Sequence, residues 1–167
     1  MRTHSRGQTL VEFSLVLPVF LLTLFGLIDV GRLVYANSVL SQAARDGARV
    51  ASAEAGWIGS SDASCGTPGG PVCPASSSAL LANVTAAANR MVAGMGTITN
   101  VYLACTGPGA APSGAWTGGD CDPLNAANMT GNLVSVRLVF TFTPITPVIG
   151  QIVHSVTLTG AATMVID

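Results

Sequence analysis

At 167 residues the chain has the length of one ordinary domain, and 49% of it is apolar while only 9% is charged, against roughly 25% charged residues in soluble domains. Seven arginines, no lysine and a net charge of −1 argue against a phosphate-neutralising surface and so against nucleic acid as a partner. The charges are uneven: nine lie within residues 1–54 and six in the remaining 113.

The first predicted element is apolar. Phe13 to Ile28 reads FSLVLPVFLLTLFGLI without a charge, and Gln8 to Ile28 gives 21 residues interrupted only by Glu12. A membrane-spanning helix needs about 20 mostly apolar residues. Two readings fit. A secretory signal peptide would have Arg2 and Arg6 as its basic region and a cut after Ala36, in Val34-Tyr35-Ala36. A retained anchor would keep the segment. The sequence beyond Ile28 favours the anchor, because Leu33, Ala36, Leu40, Ala43, Ala44, Gly47, Val50 and Ala51 recur at three- and four-residue spacing opposite Asn37, Ser38, Ser41, Arg45, Asp46 and Arg49. The pattern predicts one helix over Gln8 to Glu54, half membrane span and half amphipathic stem, about 70 Å long.

Glu12 stands inside the apolar run, where a carboxylate is costly unless it is paired or close to water. One reading makes it an interfacial residue near the positive end of the helix. The other uses Arg6-Gly7: a cut after Gly7 makes Glu12 the fifth residue of the mature chain and creates an ammonium at Gln8. Glu12 of one subunit then pairs with the Gln8 amine of its neighbour. Pro18 removes a donor from the helix, leaves the Ser14 carbonyl unmatched and predicts a kink. Asp29 and Arg32, three apart just past the apolar run, have the spacing of a helix-surface ion pair and mark the membrane boundary.

The basic leader, Gly7, Glu12 and the apolar helix together resemble the processing signal of type IV pilins and pseudopilins. The longer stretch RGQTLVEFSLVLPVFLLTLFGLIDVGRLVYANSVLSQAARDGARVA resembles the TadE-like family of the tight-adherence pilus, through Gly7, Glu12, Pro18, Gly26, Asp29, Gly31, Arg32, Ala43, Ala44, Arg45, Gly47 and Ala48. The ending TFTPITPVIGQIVHSVTLTGAATMVID is also similar to that family. The resemblance implies a minor pilin-like subunit, cut by a prepilin peptidase on the cytoplasmic face, whose partners are the membrane, other pilin-like subunits and the pilus assembly platform. It places the chain in a bacterial cytoplasmic membrane as a single-pass protein with its C-terminal domain outside, open to incorporation in an extracellular pilus. Gln8 stands where mature type IV pilins often begin with phenylalanine, and Phe13 where small major Tad pilins tend to have tyrosine. Both departures favour a minor component.

Four cysteines, Cys65, Cys73, Cys105 and Cys121, form no C-x-x-C pair, and with His4 and His154 the only histidines a zinc site has little support. Disulfides are the better reading in an exported chain. Three connectivities are open, of which the local one, Cys65 with Cys73 and Cys105 with Cys121, closes two Gly/Pro-rich loops. Trp57 to Ala75 is one such loop. A second helix follows, with N-caps among Ser76 to Ser78, an apolar face of Leu80, Val84, Ala87, Ala88, Met91 and Val92, and a stop at Gly94 and Gly96. Met91 and Met95 read as packing residues.

Strands are predicted at Thr97 to Cys105, at Leu133 to Thr143 and from Val156 to the C-terminus, with a long loop over Thr106 to Thr130 and a turn over Ile145 to Ser155. In the middle strand Val134, Val136, Leu138, Phe140 and Phe142 share a face; in the last, Gly160 is a candidate bulge. The expected fold is α+β and pilin-like: a long N-terminal helix, a second helix and a small antiparallel three-stranded sheet. The expected divisions are a leader (1–7), helix and stem (8–54) and an extracytoplasmic domain (55–167).

Candidates for enzymatic chemistry are thin. His154 beside Ser155 lacks a partner signal, Asp120 and Asp122 fall short of a calcium ligand set, and the glycosylation patterns at Asn83 and Asn128 are weak. The expectation is a non-catalytic structural protein without cofactor or metal. The alternative is an exported surface binding module released by cleavage after Ala36; an anchored hydrolase using His154 or Asp120 comes last.

Overall fold

Helix α1 runs from Ser5 to Ala55, 51 residues and so about 76 Å, in a computed structural model that describes residues 5–96, 98–108, 121, 130–146, 150–151 and 154–167, with side chains from residue 8 onward. It continues through Pro18. Hydroxyls in the helix fold back on its own carbonyls: Ser14 Oγ donates to Val11 O and Thr23 Oγ1 to Val19 O, each at 2.9 Å. Such bonds leave no side-chain hydroxyl unmatched in the apolar stretch.

The described residues fall into two compact units, Met1–Tyr35 with Thr143–Val156, and Ala36–Phe142 with Thr157–Asp167. In the first, every residue from Gln8 to Phe25 is exposed. An apolar surface of that extent in water would drive aggregation, and this helix is long and apolar enough to cross a membrane.

In the second unit the stem half of α1 buries Ala36, Leu40, Ala43, Ala44, Ala48, Ala51 and Ala55. Small side chains let the helix approach its neighbours closely. A Cβ at Gly47 would lie 3.2 Å from Val84 Cγ1 and 3.5 Å from Val136 Cγ1, which puts the helix against α2 and the sheet. Helix α2, Ser77–Met91, is capped by Ser76, whose Oγ accepts the Ala79 N–H at 3.3 Å, and buries Leu80, Val84, Ala87 and Ala88.

Three antiparallel strands, β1 (Ile98–Thr106), β2 (Leu133–Phe142) and β3 (Val156–Val165), lie in the order β1-β2-β3. Leu103 pairs with Val136 and Cys105 with Val134. All five residues of the β2 apolar face are buried. Ser135, on the other side, is also buried and shares a 2.7 Å hydroxyl bond with Thr163 of β3. Gly160, the candidate bulge, lies where β3 passes close to α1: a Cβ there would stand 2.8 Å from the Leu40 carbonyl oxygen.

Disulfides join Cys65 to Cys73 and Cys105 to Cys121, with Cα separations of 5.5 and 5.1 Å. These are the local pairs. Within the first loop Asp62 Oδ1 accepts Ser64 N–H at 2.8 Å and Ser64 Oγ–H at 2.7 Å, and these bonds hold its carboxyl below its ordinary range. Asp120, Asp122, Asn128 and most of the 106–130 loop lie outside the described residues.

Candidate functional site

Two constellations stand on the N-terminal unit. At its start Gln8 and Glu12 are one helical turn apart, and Gln8 Nε2 donates to Glu12 Oε1 at 3.5 Å. That length is at the limit of a hydrogen bond, and both side chains are exposed. The Glu12 carboxylate therefore stays available on the outside of the helix, among Leu10, Val11, Phe13 and Leu15, each more than half exposed. Gly7 lies in α1, directly before Gln8.

The second constellation follows the apolar run. Asp29 is 5% exposed, although it lies on a helix whose neighbouring residues face outward. Burial of an ionised carboxylate needs donors, and three converge on it from the segment after β2. The Ile145 N–H reaches Oδ1 at 3.2 Å, the Thr146 N–H reaches Oδ2 at 3.1 Å, and the Thr146 hydroxyl also donates to Oδ2. Arg32 Nη1 stands 3.6 Å from Oδ1. The i,i+3 pair read from spacing is thus present as one part of a larger anchor. Ile145 and Thr146 are functional candidates the sequence did not single out, because nothing local links them to Asp29.

The comparisons bear on α1. Residues 7–49 match the family model described as TadE-like protein. The N-terminal segment is TadE-like. No curated protein and no solved structure matches the chain. Gly7, Gln8, Glu12, Pro18, Asp29 and Arg32 all lie inside the TadE-like segment, whereas the four cysteines and the Asp29 partners Ile145 and Thr146 lie beyond it.

Other candidates give no reactive cluster. Among the described residues no three His, Cys, Asp or Glu side chains gather as metal ligands, and all described cysteines are bridged. His154 is exposed, with φ of 57°, and its N–H bonds Gly150 O at 3.0 Å, the pattern of a left-handed residue that ends a helical turn. On the second unit Glu54 is buried and accepts Asn83 Nδ2–H at 2.7 Å. Desolvation raises the Glu54 carboxyl above its ordinary value, partly opposed by the Asn83 bond. The Asn83 amide is thereby committed inside the fold.

Proposed function

We propose that this chain is a minor pilin-like subunit, a pseudopilin, of a Tad-type pilus, cut after Gly7 by a prepilin peptidase and held in the cytoplasmic membrane by residues 8–28. One observation carries the reading: the fully exposed apolar face of α1 from Gln8 to Phe25, with Gly7 before it and the Glu12 carboxylate exposed at its start. A helix of this kind is hidden from water by lipid in the membrane and by other pilin helices in a filament. Cleavage leaves the Gln8 ammonium, and Glu12 of a neighbouring subunit neutralises it where the dielectric is low.

In this reading residues 1–7 are the leader, 8–54 the span and stem, and 55–167 the domain outside. The two disulfides support an oxidising location for that domain. Its role is structural, and its partners are the peptidase, other pilin-like subunits and the assembly platform. Pro18 loosens the span where the helix must leave lipid for a filament.

The alternative, release by a cut after Ala36, has a specific observation against it. Ala36 is 3% exposed, belongs to the packed face of the stem and lies within an unbroken helix. Cutting there would remove the first contact of that face.

The test is Glu12→Ala in the producing cell. Cleavage is expected to proceed while incorporation into pili falls, because the pair forms only between mature neighbours. Normal pilus formation by the variant would overturn the pairing.

A further inference from the structure

We propose that the cleft between the stem of α1 and the Cys65–Cys73 loop is a socket for a guanidinium group, filled on assembly by Arg90 of a second copy of this chain. The inference rests on the reading of the chain as a subunit that stands beside others in the membrane, and adds a contact outside the span.

The socket has two walls, both in the second unit. One is the face of α1 that carries Asp46, Arg49 and Glu54; the other is formed by Gly70, Pro71 and Val72, and the space between them is about 490 Å³. The loop wall is held in shape. The Cys65–Cys73 bridge closes it, the Gly59 N–H bonds Pro74 O at 2.8 Å across its base, and the Gly66 N–H bonds Pro71 O at 3.0 Å. A Cβ at Gly70 would collide with the Ser64 carbonyl oxygen, so the turn closes only around glycine. A wall already in place spares a ligand the entropy of ordering it.

Glu54 supplies the acceptor. It is 9% exposed, and Asn83 donates to Oε2 alone. Among the described residues no donor reaches Oε1. A buried carboxylate with a single neutral donor is under-compensated, and desolvation accordingly outweighs the Asn83 bond in raising its carboxyl. Asp46 adds a second carboxylate and Arg49 one guanidinium, and among the described residues neither is in an ion pair. Two carboxylates against one guanidinium leave the cleft one cation short of neutrality.

Arg90 is the cation that fits. It is the only charged residue between Asp62 and Asp120, and so the only one on α2. It is exposed, and among the described residues its side chain has no hydrogen bond or ion pair. Arg137 is half-buried in β2. Arg45 lies one turn before Arg49 on α1, so a neighbour's stem would bring both arginines up to a cleft that already holds one. A guanidinium is weakly hydrated and donates through a planar fork, which suits a half-buried carboxylate better than an ammonium does, and the chain has no lysine.

The experiment uses the full chain in phosphatidylcholine vesicles, with p-benzoylphenylalanine in place of Met91, which is beside Arg90 and 41% exposed, or separately of Phe25. Ultraviolet crosslinks are read by mass spectrometry. From position 91 a product of twice the chain mass is expected, with its adduct in residues 46–54 or 70–72 of the second copy. Arg90→Glu, at an exposed site, and Glu54→Gln, which keeps an acceptor for Asn83, should each lower that product severalfold. Arg45→Gln should leave it unchanged, and position 25 should give lipid adducts in every variant.

Lipid adducts at 25 with no dimer through 91 would overturn the inference and leave the membrane reading intact. A dimer joined outside the cleft, or one that persists in Arg90→Glu or Glu54→Gln, or that falls equally in Arg45→Gln, would also overturn it. Absence of lipid adducts at 25 would overturn the membrane reading and the inference with it.

Discussion

The carboxylate of Asp29 accepts the backbone N–H of Thr146 at 3.1 Å across 117 residues of sequence, and so ties the end of the apolar helix to the segment that leaves the sheet. A buried carboxylate with three donors is a tertiary anchor, because removing it leaves two amides and a hydroxyl to find other partners.

The first prediction follows from that geometry. In Asp29→Ala, backbone amide exchange at Ile145 and Thr146 should become fast while amides of β2 keep their protection. Asp29→Asn, which retains one acceptor oxygen, should fall between. Equal protection in wild type and Asp29→Ala, measured by hydrogen exchange in detergent micelles, would show that the carboxylate does not hold this segment.

Glycine at two places in the stem interface gives opposite expectations. A methyl at Gly160 would stand 2.8 Å from the Leu40 carbonyl oxygen and 3.0 Å from Leu40 Cγ, so Gly160→Ala forces helix and strand apart and should cost about 1–3 kcal/mol. At Gly47 the nearest atom is the Val84 Cγ1 methyl at 3.2 Å, which can yield, and alanine gains about 1 kcal/mol of helix propensity. Gly47→Ala should stay within about 1 kcal/mol of wild type. Thermal unfolding of both variants checks the pair; equal destabilisation would mean the two contacts are alike.

Glu54 supplies a pH dependence of definite sign. Its folded carboxyl is raised above the ordinary value of 4.5 by desolvation, so the unfolded chain ionises first as pH rises. Stability contributed by the protonated form is complete below 4.5, declines as pH climbs from there through the raised folded value, and is flat above it. Glu54→Gln keeps an acceptor for Asn83 and carries no charge. The melting temperature of Glu54→Gln minus that of wild type should be larger at pH 7 than at pH 4, at about those two values. A difference that shrinks as pH rises would contradict the assignment.

Much of this fold was readable where a repeat carries the signal. The Leu- and Ala-rich spacing predicted α1 over Gln8 to Glu54 against Ser5–Ala55 observed, and the alternation of Val134, Val136, Leu138, Phe140 and Phe142 predicted β2 and its buried face. Three disulfide connectivities were open in the sequence, and the structure has the local one. The partners of Asp29 were not readable, because a local rule supplies Arg32 three residues on and no pattern in TPITP announces donors for a distant carboxylate. Gly160 was read as a candidate bulge; strand glycine also signals a close approach of backbones, and the approach to Leu40 comes from a residue 120 positions away that no local pattern announces. Glu54 went unnoticed because its partner Asn83 stands 29 residues away on another helix.

The most direct test of the account is the N-terminus of the mature protein, taken from cell envelopes and read by mass spectrometry with allowance for methylation or cyclisation of a terminal glutamine. The account predicts a chain that begins at Gln8 and keeps Glu12 and the whole of α1 beyond it. A chain that begins at Asn37 would discard the span, the Glu12 pair and the pilin role together.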